Sequence, residues 1–207
     1  MTHKIRGFYI NLDKRPDRKL HFENIQEKYA LFSNLERLPA VEHEKGFIGC
    51  CQSHINALRK CKDMEEEVFM ICEDDLIIFN DENYNQMVNS LDLKDNWDVL
   101  TLTPRGDPIE NDNIRNQYYR IQNNQTATAY IFKKQIINVL LETLEEGLKQ
   151  LLNNGHPDYY TNDQSWKKLQ TQYRFFYFKH VFAGQLVGYS DIEKRFVNYN
   201  QRFVNQK

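Results

Sequence analysis

Apolar positions recur along this chain in two periods, and the switches between them lay out an order of strands and helices. Gly7-Phe8-Tyr9-Ile10-Asn11-Leu12 is a short apolar run that predicts a first strand. Asp13, Pro16 and Asp17 then mark a turn and a helix start, with Phe22, Ile25 and Tyr29 on one helical face. Leu35 to Val41 is a second strand candidate. Gly46 to Gly49 reads as a loop leading to a helix from about Cys51 to Met64, whose apolar positions Cys51, Ile55 and Leu58 keep helical spacing. Trp97 to Leu102 and Ala127 to Phe132 read as further strands. The stretch between them, rich in Asn, Asp and Pro, reads as a loop able to lie over a site. Lys133 to Leu152 carries Ile136, Ile137, Leu140, Leu141, Leu144, Leu148 and Leu151 at helical spacing, and Tyr173 to Phe178 is an aromatic strand. Strands alternating with helices argue for an α/β fold: a mostly parallel sheet with helices on both faces.

One segment breaks the pattern in a way that bears on function. Val68-Phe69-Met70-Ile71-Cys72 suits a strand buried on both faces, and it ends abruptly in Glu73-Asp74-Asp75. Ligands of open α/β sheets bind beyond the carboxyl ends of such strands. Adjacent carboxylates repel unless a cation or protons intervene, and oxygen ligands suit Mg²⁺ or Mn²⁺. In an extended segment Glu73 and Asp75 share a face and converge on one cation, with Asp74 pointing elsewhere or drawn in by a turn. The bland alternative, a solvated acidic turn, fits poorly with Leu76-Ile77-Ile78-Phe79 directly behind.

The chain has 207 residues, 27% charged and 41% hydrophobic, which suits one compact domain over 1–207 and argues against disorder. A formal charge of -2 gives no global attraction to nucleic acid. No apolar stretch approaches a membrane span and Met1 to Arg6 lead straight into a strand, so a cytoplasmic location is expected. Cys50, Cys51, Cys61 and Cys72 fall on apolar or helical patterns and are expected as buried thiols rather than disulfides. A zinc set drawn from Cys50 or Cys51, His54 and Cys61 lacks a CxxC pair and is not expected.

Lys14, Arg15, Arg18 and Lys19 surround the first helix N-terminus, where the helix dipole disfavours cations by about 0.3–1 kcal/mol each. An anion relieves that conflict, and guanidinium forks and helix N-termini both suit a diphosphate. A solvated basic loop is the alternative. For a late metal ligand the candidates are His156 and His180, with His180 favoured for its place after the aromatic strand. Asn124-Gln125-Thr126 fits a glycosylation acceptor pattern, a chance match in a cytoplasmic chain.

FYINLDKRPDRK, FIGCCQSH and CEDD, in this order and spacing, resemble the glycosyltransferase family 25 pattern found in lipooligosaccharide glycosyltransferases and collagen galactosyltransferases. The resemblance covers the first half well. TATAYIF, Asp163 in Asn162-Asp163-Gln164, Gln185 and Ser190 fit the family's later segments more loosely. It implies a single-domain GT-A fold with a nucleotide-sugar at the C-terminal edge of the sheet, bound by the half over about 1–102, and an acceptor-side half over about 103–207. It also implies that Glu73-Asp74-Asp75 is the acidic triplet, with Asn11, Leu12, Arg15 and Arg18 near the nucleotide and Gly49, Ser53 and His54 shaping the donor site. Asp74 goes with the nucleotide, while Glu73 and Asp75, completed by His180, hold Mn²⁺ or Mg²⁺. Ser53 has a rival role as a helix cap and His54 one as a satisfied buried imidazole. Asp163, the isolated later acid, is the candidate base, with a helix N-cap as its alternative. The second half lacks the additional domain of the collagen-modifying enzymes, and the string from Gly184 to Arg195 has no assigned role.

The expected activity is metal-dependent transfer of a hexose from a nucleotide-sugar, a UDP-sugar in the first instance, to a glycan or protein side-chain hydroxyl with inversion. The rival from another class is a non-catalytic carbohydrate- or nucleotide-binding protein on the same scaffold. A metal phosphohydrolase is the enzymatic rival, weakened by the absence of further clustered acids.

Overall fold

The computed structural model describes residues 4–199, so the domain expected over 1–207 runs past the described residues at both ends. One eight-stranded sheet organises the molecule, in the order β2-β1-β3-β8-β5-β9-β7-β6. β1 (Arg6–Asn11), β2 (Leu35–Pro39) and β3 (Val68–Glu73) are parallel neighbours at one side. β5 (Val99–Thr101) and β9 (Phe175–Phe178) run the same way, whereas β8 (Ala129–Lys133) and β7 (Tyr118–Gln122) run against them. The sheet is mostly parallel in strand direction, with β6 (Asp107–Ile114) at the far edge.

Helices cover both faces, and the alternation within each strand decides which residues meet them. Tyr9, Met70, Cys72, Leu100 and Phe176 pack with Phe22 and Ile25 of α1 (Pro16–Lys28) and with Tyr84 and Met87 of α3 (Asp81–Ser90). Phe8, Ile10, Phe69, Ile71, Tyr130 and Phe175 face Ile55 and Leu58 of α2 (Gly46–Lys62) and Leu140 and Leu144 of α4 (Ile137–Leu152). The central strands are buried on both sides, which is why they read as continuous apolar runs.

Two expectations are corrected. The helix expected from about Cys51 begins at Gly46, because its glycines serve close approach rather than a loop. A Cβ at Gly49 would lie 2.3 Å from the Val41 carbonyl oxygen, and one at Gly46 2.9 Å from that of Asp191. The polar stretch between β5 and β8 is a hairpin, β6–β7, turning through Arg115 and Asn116 with positive φ. It escaped the apolar pattern because β6 is a largely exposed edge strand, the place in a sheet where Pro108 is tolerated.

After β9 the chain returns to β3's side. β10 (Ala183–Gln185) pairs with β4 (Leu76–Ile78), which follows the acidic run directly, and β11 (Gly188–Ser190) pairs with β12 (Arg195–Val197) in a small hairpin. Two short helices, α5 (Pro157–Tyr160) and α6 (Asn162–Ser165), follow α4.

Candidate active site

β1, β2 and β3 all end at the same sheet edge, and β8 begins there because it is reversed. Segments from 12–18, 40–54, 73–75 and 125–128 therefore converge, joined by α5, α6 and the β11–β12 hairpin around a cavity of about 810 Å³. The β6–β7 hairpin touches this cavity only near its base, through Arg105 and Gln125.

Glu73 closes β3 on the face shared with Phe69 and Ile71, the face covered by α2. Its Oε1 lies 3.1 Å from His54 Nε2 and 3.7 Å from Cys50 Sγ, and its Oε2 accepts the Thr128 hydroxyl at 3.4 Å. Burial pushes the Glu73 carboxyl up, but the His54 hydrogen bond and charge, with Arg18, outweigh it and hold the group low. Asp74 and Asp75 fall in a turn, which splits the run. Asp74 accepts from Asn11 Nδ2 at 2.7 Å and Arg18 Nη1 at 3.1 Å; Asp75 Oδ2 is 3.4 Å from the same Nη1. The shared Glu73–Asp75 face expected of an extended segment gives way to Glu73 on the α2 side and both aspartates around Arg18, though all three line the cavity. Asp75 Oδ1 is buried without a well-formed hydrogen bond. Burial, with the Glu73 charge adding, pushes Asp75 up to about 7. Burial also raises Asp74, against the Asn11 hydrogen bond and Arg18.

Asp163 also lines the cavity. α6 starts at Asn162 with Thr161 ahead of it, so Asp163 sits inside the first turn and is not the cap. The Thr161 hydroxyl donates to Asp163 Oδ1 at 3.0 Å. Burial raises this carboxyl, the Thr161 bond opposes, and the Glu73 charge adds to the rise.

The basic cluster forms the rim. Arg15 grips Asp17 through Nε at 2.9 Å and Nη2 at 2.8 Å, while its Nη1 reaches Asp191 Oδ2 at 2.6 Å and the Tyr189 carbonyl at 3.3 Å. Arg18 Nη2 donates to the Tyr189 carbonyl at 2.9 Å. Lys14 pairs with Glu42 at 2.5 Å, and Lys19 turns away to Glu23 at 3.6 Å. The anion that this helix terminus calls for is supplied here by the chain's own acids.

Of the expected residues, Leu12, Arg15, Arg18, Ser53, His54, Glu73, Asp74, Asp75 and Asp163 all line the cavity. Asn11 stands behind it, holding Asp74 and accepting from Arg37 Nε at 2.8 Å. Gly49 is a packing position against Val41. Ser53 is mid-helix rather than a cap; it accepts from the Val41 N–H at 2.8 Å and donates to the Gly49 carbonyl at 2.7 Å. His180 is a correction. It is exposed beyond β9, its ring edge-on to Phe178, and it does not line the cavity. β8 and β5 lie between β3 and β9, so three interstrand spacings, about 14 Å, separate their ends. The histidine at the acids is His54. The sequence reading set Cys50 beside His54 only in a zinc set that it put aside, passed over Thr128 and Tyr130, and gave Gln185 no role beyond the looser resemblance. The four-residue Cys50–His54 spacing was visible, but its meeting with Glu73 is a tertiary fact. The expected free thiols are observed, three buried and Cys50 partly so. Asn124 is buried, in keeping with a chance glycosylation pattern.

No helix of the described residues is long and apolar enough to cross a membrane. No protein-family model matches this chain, and no curated protein matches its sequence. Among solved structures, a mannose-1-phosphate geranyltransferase from Thermus thermophilus aligns at 11% identity over 84% of this chain and 59% of that one, with a TM-score of 0.41, too distant to carry an argument. A glycosyltransferase involved in the glycosylation of the major capsid of PBCV-1 aligns at 16% identity over 93% of this chain and 97% of that one, with a TM-score of 0.53, a likeness of fold that spans nearly the whole of both chains.

Proposed function

We propose that this protein is a cytoplasmic, metal-dependent glycosyltransferase of the family 25 type, transferring a hexose from a UDP-sugar to a glycan or protein hydroxyl with inversion. One observation carries the reading: Asp75 lines a cavity of ligand size beside Glu73 at the end of β3, and its Oδ1 is buried without a well-formed hydrogen bond, with the Gln185 side chain beside the carboxyl. Evolving chains seldom leave such an oxygen uncompensated, and a hard divalent cation is the compensation that suits it. The fold shared with a solved glycosyltransferase supports the same reaction class.

The residues present fit Mn²⁺ or Mg²⁺, with Asp75 and Glu73 as its ligands and Asp74 beside the nucleotide. When bound, that ion neutralises charge on the leaving diphosphate. Arg15 and Arg18 present guanidinium forks to the diphosphate, which competes for them with Asp191 and the Tyr189 carbonyl. Leu12, Ser53 and His54 shape the donor side of the cavity, and Asn11 and Gly49 act from behind it by fixing Asp74 and the approach of α2 to Val41. Asp163 takes the proton of the acceptor hydroxyl, and burial raises its affinity for protons above that of a free aspartate. The residues up to about 102 hold the donor; those beyond it face the acceptor.

The test is thermal stabilisation of the full chain by a panel of nucleotide-sugars with and without Mn²⁺, since a ligand binding only the folded form raises its melting temperature. UDP-hexoses with Mn²⁺ are expected to stabilise most. The rival, a non-catalytic binding protein, draws on Arg18, which already balances Asp74 and Asp75. It predicts stabilisation indifferent to metal and no transfer to any acceptor.

A further inference from the structure

We propose that Cys50, His54 and Glu73 form a binding site for a borderline-soft divalent cation of the Zn²⁺ type, with its remaining coordination position open to the cavity. Cys50 and His54 are four residues apart, on the face of α2 that meets the end of β3. Their donor atoms and a Glu73 carboxylate oxygen all lie within 4.8 Å of one another. Two of the three separations, those to Glu73, are close to those of a tetrahedral centre. With Zn–S near 2.3 Å and Zn–N or Zn–O near 2.0 Å, tetrahedral ligands stand about 3.5 Å apart for S and O and about 3.3 Å apart for N and O. The corresponding distances here are 3.7 Å for Cys50 Sγ to Glu73 Oε1 and 3.1 Å for His54 Nε2 to Glu73 Oε1.

A bare hydrogen-bonded cluster needs no support behind it, but this one is held from outside as metal ligands are. His54 is 1% exposed, and its other ring nitrogen, Nδ1, meets the buried Tyr130 hydroxyl at 3.1 Å. That contact fixes ring orientation and tautomer, the usual arrangement around a ligating histidine. Glu73 Oε2 is held by the Thr128 hydroxyl at 3.4 Å. All three candidate ligands line the cavity, so three protein ligands and one accessible side match the pattern of an open zinc site. Thiolate and imidazole select against Mg²⁺ and Mn²⁺, which sets this site apart from the one built on Asp75; Glu73 is common to both, so the two ions compete for that carboxylate. Binding releases the thiol proton to solvent as Cys50 ligates. The expectation against zinc drawn from the absence of a CxxC pair missed the site because its third ligand comes from a strand.

The experiment is titration of the full-length, chelator-stripped and reduced protein with Co²⁺, followed by absorbance, then displacement by Zn²⁺. One equivalent is expected to bind with a thiolate-to-cobalt charge-transfer band in the near ultraviolet and the intense visible bands of tetrahedral cobalt. Cys50→Ser should lose the charge-transfer band, and Tyr130→Phe should weaken Co²⁺ binding by about 10–100-fold while leaving the ligands in place. Asp75→Asn should keep the band, which separates this site from the one invoked for the diphosphate. No charge-transfer band in the parent protein, or an unchanged band in Cys50→Ser, would overturn the proposal. Neither result depends on sugar transfer, so the two readings fail separately.

Discussion

The two walls of the cavity carry opposite charges and handle them by opposite means. On the acid wall, Glu73, Asp74 and Asp75 are held by the register of β3 against β1 and β8, with Asn11, Thr128 and His54 fixed around them and Arg18 as the nearest cation. Burial dominates there, and two of the three carboxyls are displaced upward. On the rim, Lys14 and Arg15 stand in ion pairs with Glu42, Asp17 and Asp191. Pairs of that kind near solvent are worth little and are screened by salt. The buried wall thus holds charge that Arg18 offsets only in part and that a bound cation or a proton relieves, while the rim is already satisfied and has to exchange partners. Effects of substitution should be large on the first and modest on the second.

The largest effect is expected at Asp75. Asp75→Ala should abolish metal-dependent UDP binding while the protein stays folded, and calorimetry with an intact parent affinity in the mutant would remove Asp75 from the site. Asp163→Asn comes next. Removing a general base costs on the order of 10²–10⁴ in rate, so turnover should fall by that amount with donor affinity near the parent value. Transfer at the parent rate would exclude the role and direct attention to Asp158 and Asp191, which also line the cavity.

The arginines sharpen the contrast because Arg18 belongs to both walls. Arg18→Ala should weaken donor binding and also lower stability, since leaving buried acceptors of Asp74 unpaired costs about 1–3 kcal/mol. Arg15→Ala should weaken donor binding with little change in melting temperature. Equal thermal losses in the two variants would erase the distinction drawn between wall and rim.

The smallest effect is a pH-dependent one. Asp75 is pushed up to about 7 in the folded chain, against about 3.9 unfolded. The folded state therefore binds the extra proton, so this group's contribution is fully present below the unfolded value and is lost as pH rises through about 7. In chelator, Asp75→Asn should melt a few degrees above the parent at pH 8, and the gap should shrink toward pH 5. A gap that widens on acidification would reverse the assigned sign.

How much of this was legible in the sequence follows from the range of the interactions involved. β1, α1, β3 and α4 are written in local periodicity, and the acid run announced itself because three carboxylates follow buried-type residues without a break. The start of α2 was misjudged because Gly46 and Gly49 answer to Asp191 and Val41, remote in sequence. The β6–β7 hairpin hid because an exposed edge strand has no apolar alternation to show. Within the site, the direction of each acid depends on a turn that local spacing does not reveal. His180 was drawn in by residue type alone, and the intervening strands keep it out. The hairpin that brings Tyr189 and Asp191 to the arginines is fixed by the pairing of β10 with β4, a contact across more than a hundred residues.

The central claim, that the acid wall serves a divalent metal beneath a nucleotide diphosphate, is tested most directly by calorimetry of UDP binding to the parent protein with Mn²⁺ and again with chelator. Saturable binding with Mn²⁺ that disappears with chelator is the predicted result. Equal affinity under both conditions would contradict it.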